Sequence, residues 1–263
     1  MNNNDEIKQA NSKAIPKFIF IVVIGSLIGG IFGFCSVKYG LYTLAGSMKN
    51  AGAFFGTYVA PWLMLLAAIV VPAICIPIYK KAKKQLSTWD GENEEVSDAI
   101  DKQLSVDIWI TSAALILSYF LIAASYSGGL EAFKNKNWII LLFIGIVSFV
   151  AVMIEAILIQ QKCVDMTKKM NPEKTASVYD TKFHKKWIDS CDEAEKILIG
   201  KCAFKAYSAT NNVCTLLAIV LAICALVFDI GFLPSLVVCL IWIVNLSVYC
   251  KEALRYSGGN IIS

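Results

Sequence analysis

Few residues in this chain are of types that do chemistry, and most of them stand in or beside apolar runs. Glu155 is the acidic residue that the hydropathy reading places well inside such a run, five residues before Gln160. An ionisable group within a bilayer is expensive unless paired, which makes it a functional candidate by default. Its position is toward one end of the run, so snorkelling to the headgroups offers a purely structural role of equal weight. Partners at similar depth are Asn211 and Asn212, with Thr210 and Thr215, and then Asn245 and Ser247. Such a set would give interhelical hydrogen bonds worth about 0.6 kcal/mol each, or would line a polar cavity. Packing is the favoured reading.

The nine cysteines, at 35, 75, 163, 191, 202, 214, 224, 239 and 250, include no C-x-x-C pair, and His184 is the only histidine. That spacing gives no metal or redox signature, and small apolar packing residues are the expectation. No P-loop, H-E-x-x-H or G-x-S-x-G run is present, so the reading includes no cofactor, no metal and no catalytic residue. His184 sits among Lys182, Lys185 and Lys186, where a solvated interface role suits it better than catalysis.

Residues 161–204 are the most patterned polar stretch. The first part, QKCVDMTKKMNPEKTASVYD, carries Pro172 and turn-formers and reads as a linker. From about Tyr179, Phe183, Trp187, Ala194, Ile197 and Leu198 recur on one helical face, while Asp189, Asp192, Glu193, Glu195 and Lys196 take the rest. An amphipathic helix on the membrane surface follows, with Asp192 and Lys196 spaced to pair. Trp187, Asp192, Glu193 and Glu195 are then a candidate docking surface for a partner, against the simpler alternative of a juxtamembrane helix. The loop 80–105 begins basic and turns acidic, and reads as a solvated loop followed by a short helix.

The elements that must position these groups follow from composition. Of 263 residues, 57% are hydrophobic and 17% charged, well below the quarter usual in soluble domains. Mean hydropathy is +0.62. Runs long enough to cross a bilayer fall near 17–35, 54–79, 106–127, 138–160, 205–228 and 232–250. The expectation is an all-α, polytopic membrane helix bundle of six transmembrane helices in a single domain over 1–263, with an amphipathic cytosolic helix leading into the fifth. Pro72 and Pro77 predict a kinked or partly unwound end of the second span. The fifth and sixth spans form a tight hairpin around Gly231 and Pro234.

Of the 24 Lys and Arg, 20 fall in the N-terminal tail, the 80–105 loop, the 161–204 stretch with Lys205, and the C-terminal tail. The positive-inside rule then places both termini in the cytoplasm of a cell membrane. The first span reads as a retained helix and not as a signal peptide, since no small-x-small cleavage site follows it. Its Gly25, Gly29 and Gly33 share one stripe, where another helix can approach closely. A contact inside the bundle is favoured over a homodimer about two to one. The net charge of +4 suits an anionic lipid surface and calls for no nucleic acid.

The run SVYDTKFHKKWIDSCDEAEK, followed by ILIGKCAFKAYSATN, resembles the signature region of domain of unknown function 3169. Tyr179, Asp180, Phe183, Lys186, Trp187, Asp192, Glu193, Glu195, Lys201, Lys205 and Tyr207 carry the resemblance. It implies a six-span bacterial membrane protein, mostly of Firmicutes, and no activity. Three functions compete. A non-enzymatic protein docking a cytosolic or membrane partner through 161–204 comes first. A transport component, as a permease subunit served by a separate ATPase or as a small carrier, is second. An intramembrane enzyme is third, since Glu155 lacks an evident second catalyst.

Overall fold

In a computed structural model, residues 50–127, 135–174, 176–228 and 230–257 are described, with scattered positions between 16 and 34. No described residue lies in a strand. Five helices are long and apolar enough to cross a membrane: Asn50–Thr88, Glu94–Ser125, Lys136–Met170, Glu193–Ala225 and Leu233–Ala253. They coincide with the last five expected spans. The first, 17–35, lies mostly outside the described residues, and so do Gly25, Gly29 and Gly33. The regular α-helices are named α1 (Ala60–Thr88), α2 (Glu94–Ser125), α3 (Lys136–Met170), α4 (Phe183–Asp189), α5 (Glu193–Phe228) and α6 (Leu233–Ser257).

Two compact units divide the chain, residues 49–200 and residues 201–263 with the N-terminal 48. In the first, α1, α2 and α3 each pack against the other two. At one end of this bundle Ala60, Met64 and Leu121 are buried beneath Phe55 and Phe149. At the other, Val71, Cys75 and Ala82 of α1 meet Ile100 and Leu104 of α2 and Ile159, Cys163 and Met166 of α3. The turn between α1 and α2 is only five residues. Trp89 leaves α1 with extended backbone, Gly91 supplies a φ of +89°, and Asn93 caps α2 by accepting from the Val96 amide at 3.3 Å. Glu94 and Glu95 then stand in the first turn, where the helix dipole favours negative charge.

So short a turn makes α1 and α2 antiparallel, and the far ends confirm it. A π-helical segment, Phe55–Val59, precedes α1. A Cβ on its Gly56 would stand 2.0 Å from the Ala124 carbonyl oxygen of α2. Only glycine permits this approach. Buried hydroxyls in the bundle return to their own helix, Thr111 to the Asp107 carbonyl at 2.8 Å and Ser125 to the Leu121 carbonyl at 2.9 Å.

Several expected boundaries move. Residues 80–88 continue α1, and Pro72 and Pro77 lie within the helix without ending it. The stretch 161–170, expected as a linker, is the last part of α3. The reason is a buried stripe, Ile159, Cys163, Met166 and Met170, at helical spacing, while Pro172 acts only beyond the helix end. The expected amphipathic helix is interrupted: α4 closes at Ser190 and α5 starts afresh at Glu193.

In the second unit Gly231 takes a φ of +70° between α5 and α6, and Pro234 falls in the first turn of α6. Tyr207 and Tyr249 stack with ring centroids 4.4 Å apart, and Asn245 Nδ2 donates to Asn211 Oδ1 at 3.4 Å. One aromatic and one amide contact thus join the two helices at the same end.

The glycine contact is testable. Gly56→Ala should lower the thermal midpoint of the detergent-purified protein, for the ~1–3 kcal/mol loss of stability typical of overpacking. Gly145→Ala, whose Cβ would crowd the flexible Met64 Cε at 2.8 Å and touch Pro61 Cβ at an ordinary 3.6 Å, should cost far less. Equal losses would contradict the assigned packing of α1 on α2.

Candidate functional site

Beyond α3 the chain folds back as a cap over residues 171–192, and Gln161 anchors it. Buried on α3, Gln161 accepts from Ser177 Oγ at 3.1 Å and from the Val178 amide at 2.8 Å, and donates to Asp165 Oδ1 at 2.7 Å. Asp180 accepts from the Lys182 amide at 2.8 Å and pairs with Lys186, which turns the chain into α4. These contacts hold the Asp180 carboxyl below the ordinary 3.8, the Lys186 hydrogen bond being the largest cause.

At the cap's centre, Lys174 is only 3% exposed. Its Nζ donates to Glu195 Oε2, to Cys191 Sγ at 3.3 Å and to the Ser190 carbonyl at 3.4 Å, and lies 5.6 Å from the Trp187 ring centroid. The same Glu195 oxygen accepts from the Asp192 amide at 3.0 Å, while Asp192 Oδ1 accepts from the Glu195 amide at 2.7 Å. This is a reciprocal capping box, with Asp192 at the N-cap of α5 and Glu195 at its third position. Burial alone would lower the Lys174 pKa, but the hydrogen bonds to Glu195 and Cys191 outweigh it and raise it above 10.5.

The cap encloses a cleft of about 460 Å³ against the bundle. Leu104 and Ile108 of α2, Phe183 and Trp187 of α4 and Leu198 of α5 form its apolar walls, with Asp101 and the Lys174–Glu195 pair as polar points. Of the expected docking residues, Trp187 is therefore half-buried in a cleft wall and Glu195 is spent on Lys174. Asp192 and Glu193 are exposed. Lys196 pairs with Glu193 at 3.2 Å, in place of the expected Asp192, because Asp192 is already the N-cap.

The expected intramembrane polar set comes together only in part. Asn211 and Asn245 bond, Asn212 is exposed, and Thr210 and Thr215 return to backbone carbonyls of α5. Glu155 belongs to the other unit, on α3, with Oε2 buried and without a hydrogen-bond partner. Nor is it alone. Asp107 of α2 is 0% exposed, and neither carboxylate oxygen has a well-aligned hydrogen bond, the Cys75 thiol being the donor beside it. Its neighbours are the buried thiols Cys75 of α1 and Cys163 of α3. One turn further along, Gln160 Nε2 donates to Thr111 Oγ1 at 3.2 Å and Ser112 Oγ at 3.1 Å. No group of three His, Cys, Asp or Glu stands close enough to hold a metal among the described residues. Burying a carboxyl beside thiols with no cation against it costs free energy in either form.

Hydropathy missed Asp107 because it fell at the edge of the third apolar run. The available signal was helical spacing: Ile100, Leu104, Asp107, Thr111 and Ser118 recur on one face, and all are buried.

These charges can be tested by substitution and by pH. Lys174→Met should free the cap, raising cleavage of 171–192 in limited proteolysis and costing ~1–3 kcal/mol, with Glu195 able to rehydrate. The wild-type cap should hold across neutral pH. The Lys174 contribution is complete below 10.5 and lost as pH rises through its raised value; the Asp180 contribution is complete above 3.8 and lost as pH falls through its lowered one. Asp107→Asn should leave the thermal midpoint near wild type, whereas Asp107→Lys should lower it markedly, for a stability loss of several kcal/mol. A large loss with Asn would show that the acid itself is needed for folding.

A family model described as "Protein of unknown function (DUF3169)" matches residues 11–253. No curated protein and no solved structure matches the chain. The match takes in both units, the cap and the Asp107 core, and leaves out only ten residues at each end. The chain belongs to the DUF3169 family.

Proposed function

We propose that this is a non-enzymatic, multi-pass protein of the bacterial cytoplasmic membrane that docks a protein partner on its cap. The cytosolic placement of the cap and of both termini rests on the segregation of 20 of the 24 Lys and Arg. The observation that carries the docking reading is the cleft between cap and bundle. Its walls are preorganised by the Lys174 contacts and the capping box, so a ligand does not have to order them. Leu198, 62% exposed, belongs to the apolar wall, Asp101 adds negative charge to the lining, and Asp192 and Glu193, the latter paired with Lys196, stand exposed at the start of α5. The partner that suits these features is a segment with large apolar side chains to fill the cleft, flanked by Lys or Arg.

A second reading is a transport component, favoured by Asp107. A buried carboxyl with only a thiol beside it in a membrane helix bundle is the kind of group that marks an ion or proton path. On this reading the cap couples the bundle to a separate energy-supplying subunit.

The two are separated by variants that spare the fold. Asp192 and Glu195 form the capping box, so the informative changes are Glu193→Lys and Leu198→Asp, both at exposed positions. Each should reduce co-purification of a specific partner at least ~tenfold, the scale of an interface anchor or a like-charge clash. Unchanged recovery, with loss of the cellular phenotype in Asp107→Asn alone, would favour transport and count against docking.

A further inference from the structure

We propose that a second cleft, between α1 and α3 where both helices turn from apolar to basic, binds the headgroup of an anionic phospholipid. The cleft measures about 230 Å³ and is lined by Cys75, Ile76, Tyr79, Lys80, Lys83, Ile159 and Lys162. Lys80 and Lys83 stand three residues apart on α1 and share a face. Lys162 reaches the same space from α3. No acidic side chain lines the cleft, and none of the three lysines forms a salt bridge among the described residues. Three cations from two helices thus converge, while Asp165, the carboxylate that acts on Tyr79, is already held by Gln161 and Lys168.

The other half of the lining names the ligand. Immediately before the lysines come Cys75 and Ile76 on α1 and Ile159 on α3, so the cleft is apolar at one end and cationic at the other. Outward from it run exposed apolar side chains, Ile69 and Leu158 among them, which in a bilayer face acyl chains. A ligand matching both ends carries a phosphate joined to a hydrocarbon tail, which is an anionic phospholipid. Basic pockets between transmembrane helices recognise lipid headgroups in this way, and Tyr79 has the amphipathic character that suits the membrane boundary.

General attraction of a basic surface to anionic lipid is the competing explanation, and the chain contains its own control. Lys81 and Lys84 belong to the same cluster and are equally exposed, but do not line the cleft. Full-length protein in a nonionic detergent would be titrated with short-chain phosphatidylglycerol and followed by native mass spectrometry and thermal midpoint. Phosphatidylcholine and inorganic phosphate would be run alongside. Phosphatidylglycerol should bind with discrete stoichiometry and raise the midpoint, while phosphatidylcholine and phosphate alone should not. Lys80→Gln with Lys83→Gln should weaken phosphatidylglycerol binding roughly tenfold or more, and Lys81→Gln with Lys84→Gln less than about twofold. Lys162→Gln, on the other helix, should weaken it roughly fivefold. Equal losses from the two double variants would reduce the cleft to diffuse surface attraction. Phosphate binding as tightly as the lipid would make it a free-anion site, and either result overturns the proposal.

Discussion

A membrane's hydrocarbon core needs about 20 helical residues to cross it, and three helices of this protein have 29, 32 and 35. At 1.5 Å per residue α3 alone is about 52 Å long, against a core of about 30 Å. The excess cannot all remain in lipid, because it carries Lys80 to Lys84 on α1 and Lys168 and Lys169 at the end of α3. It emerges as a helical stem that still has a buried stripe, Ala82, Ile100, Met166 and Met170, and so still packs as a bundle. The cap, both clefts and the lysine convergence all sit on or beside this stem. Shortening the helices to the membrane's thickness would remove the surface on which they are built.

The two buried charged residues of the first unit are handled in opposite ways. Lys174 is fully provided for: a carboxylate, a carbonyl, a thiol sulfur and an aromatic face surround it. That satisfies its donors and ties the cap to the start of α5, so its burial secures the geometry of a loop that has little core of its own. Asp107 has only the Cys75 thiol beside it, though a turn away Gln160 donates to both Thr111 and Ser112. Selection for stability alone would favour an apolar residue there, since a weak thiol donor does not offset the cost of burying a carboxyl. Its presence is the stronger argument that the bundle core does something besides hold together.

Most of the helical architecture was legible from hydropathy, because a run of 20 apolar residues has few alternatives in lipid. Helix ends were not. The polar residues 80–88 and 161–170 look like loop by composition, and only the stripe shared with neighbouring helices shows that they continue α1 and α3. The 183–198 stretch was legible as a helical pattern but not as the two helices and inward contacts it forms. Trp187 and Glu195 fit the outward periodicity, yet Lys174, which sequence reading had assigned to the linker, draws both inward. A lysine's pairing across 21 residues of loop leaves no periodic trace, so no pattern search would have found it.

Cysteine use ties these observations together. Cys75 and Cys163 flank Asp107, and Cys191 accepts from Lys174 while donating to the Trp187 carbonyl at 3.2 Å. All three are buried and none is in a disulfide. A thiol is close to a methyl-bearing side chain in size, yet remains polarisable and can donate or accept weakly. At Cys191 serine would compete for the same bonds but bring a hydroxyl needing stronger partners, whereas alanine would leave Lys174 one contact short. At Cys75 and Cys163 the thiol softens the surroundings of a carboxyl without fixing its charge, as a lysine or arginine there would do. The bland packing role expected of these cysteines therefore holds for shape. In the two places where a charged group is buried, their chemistry matters as well.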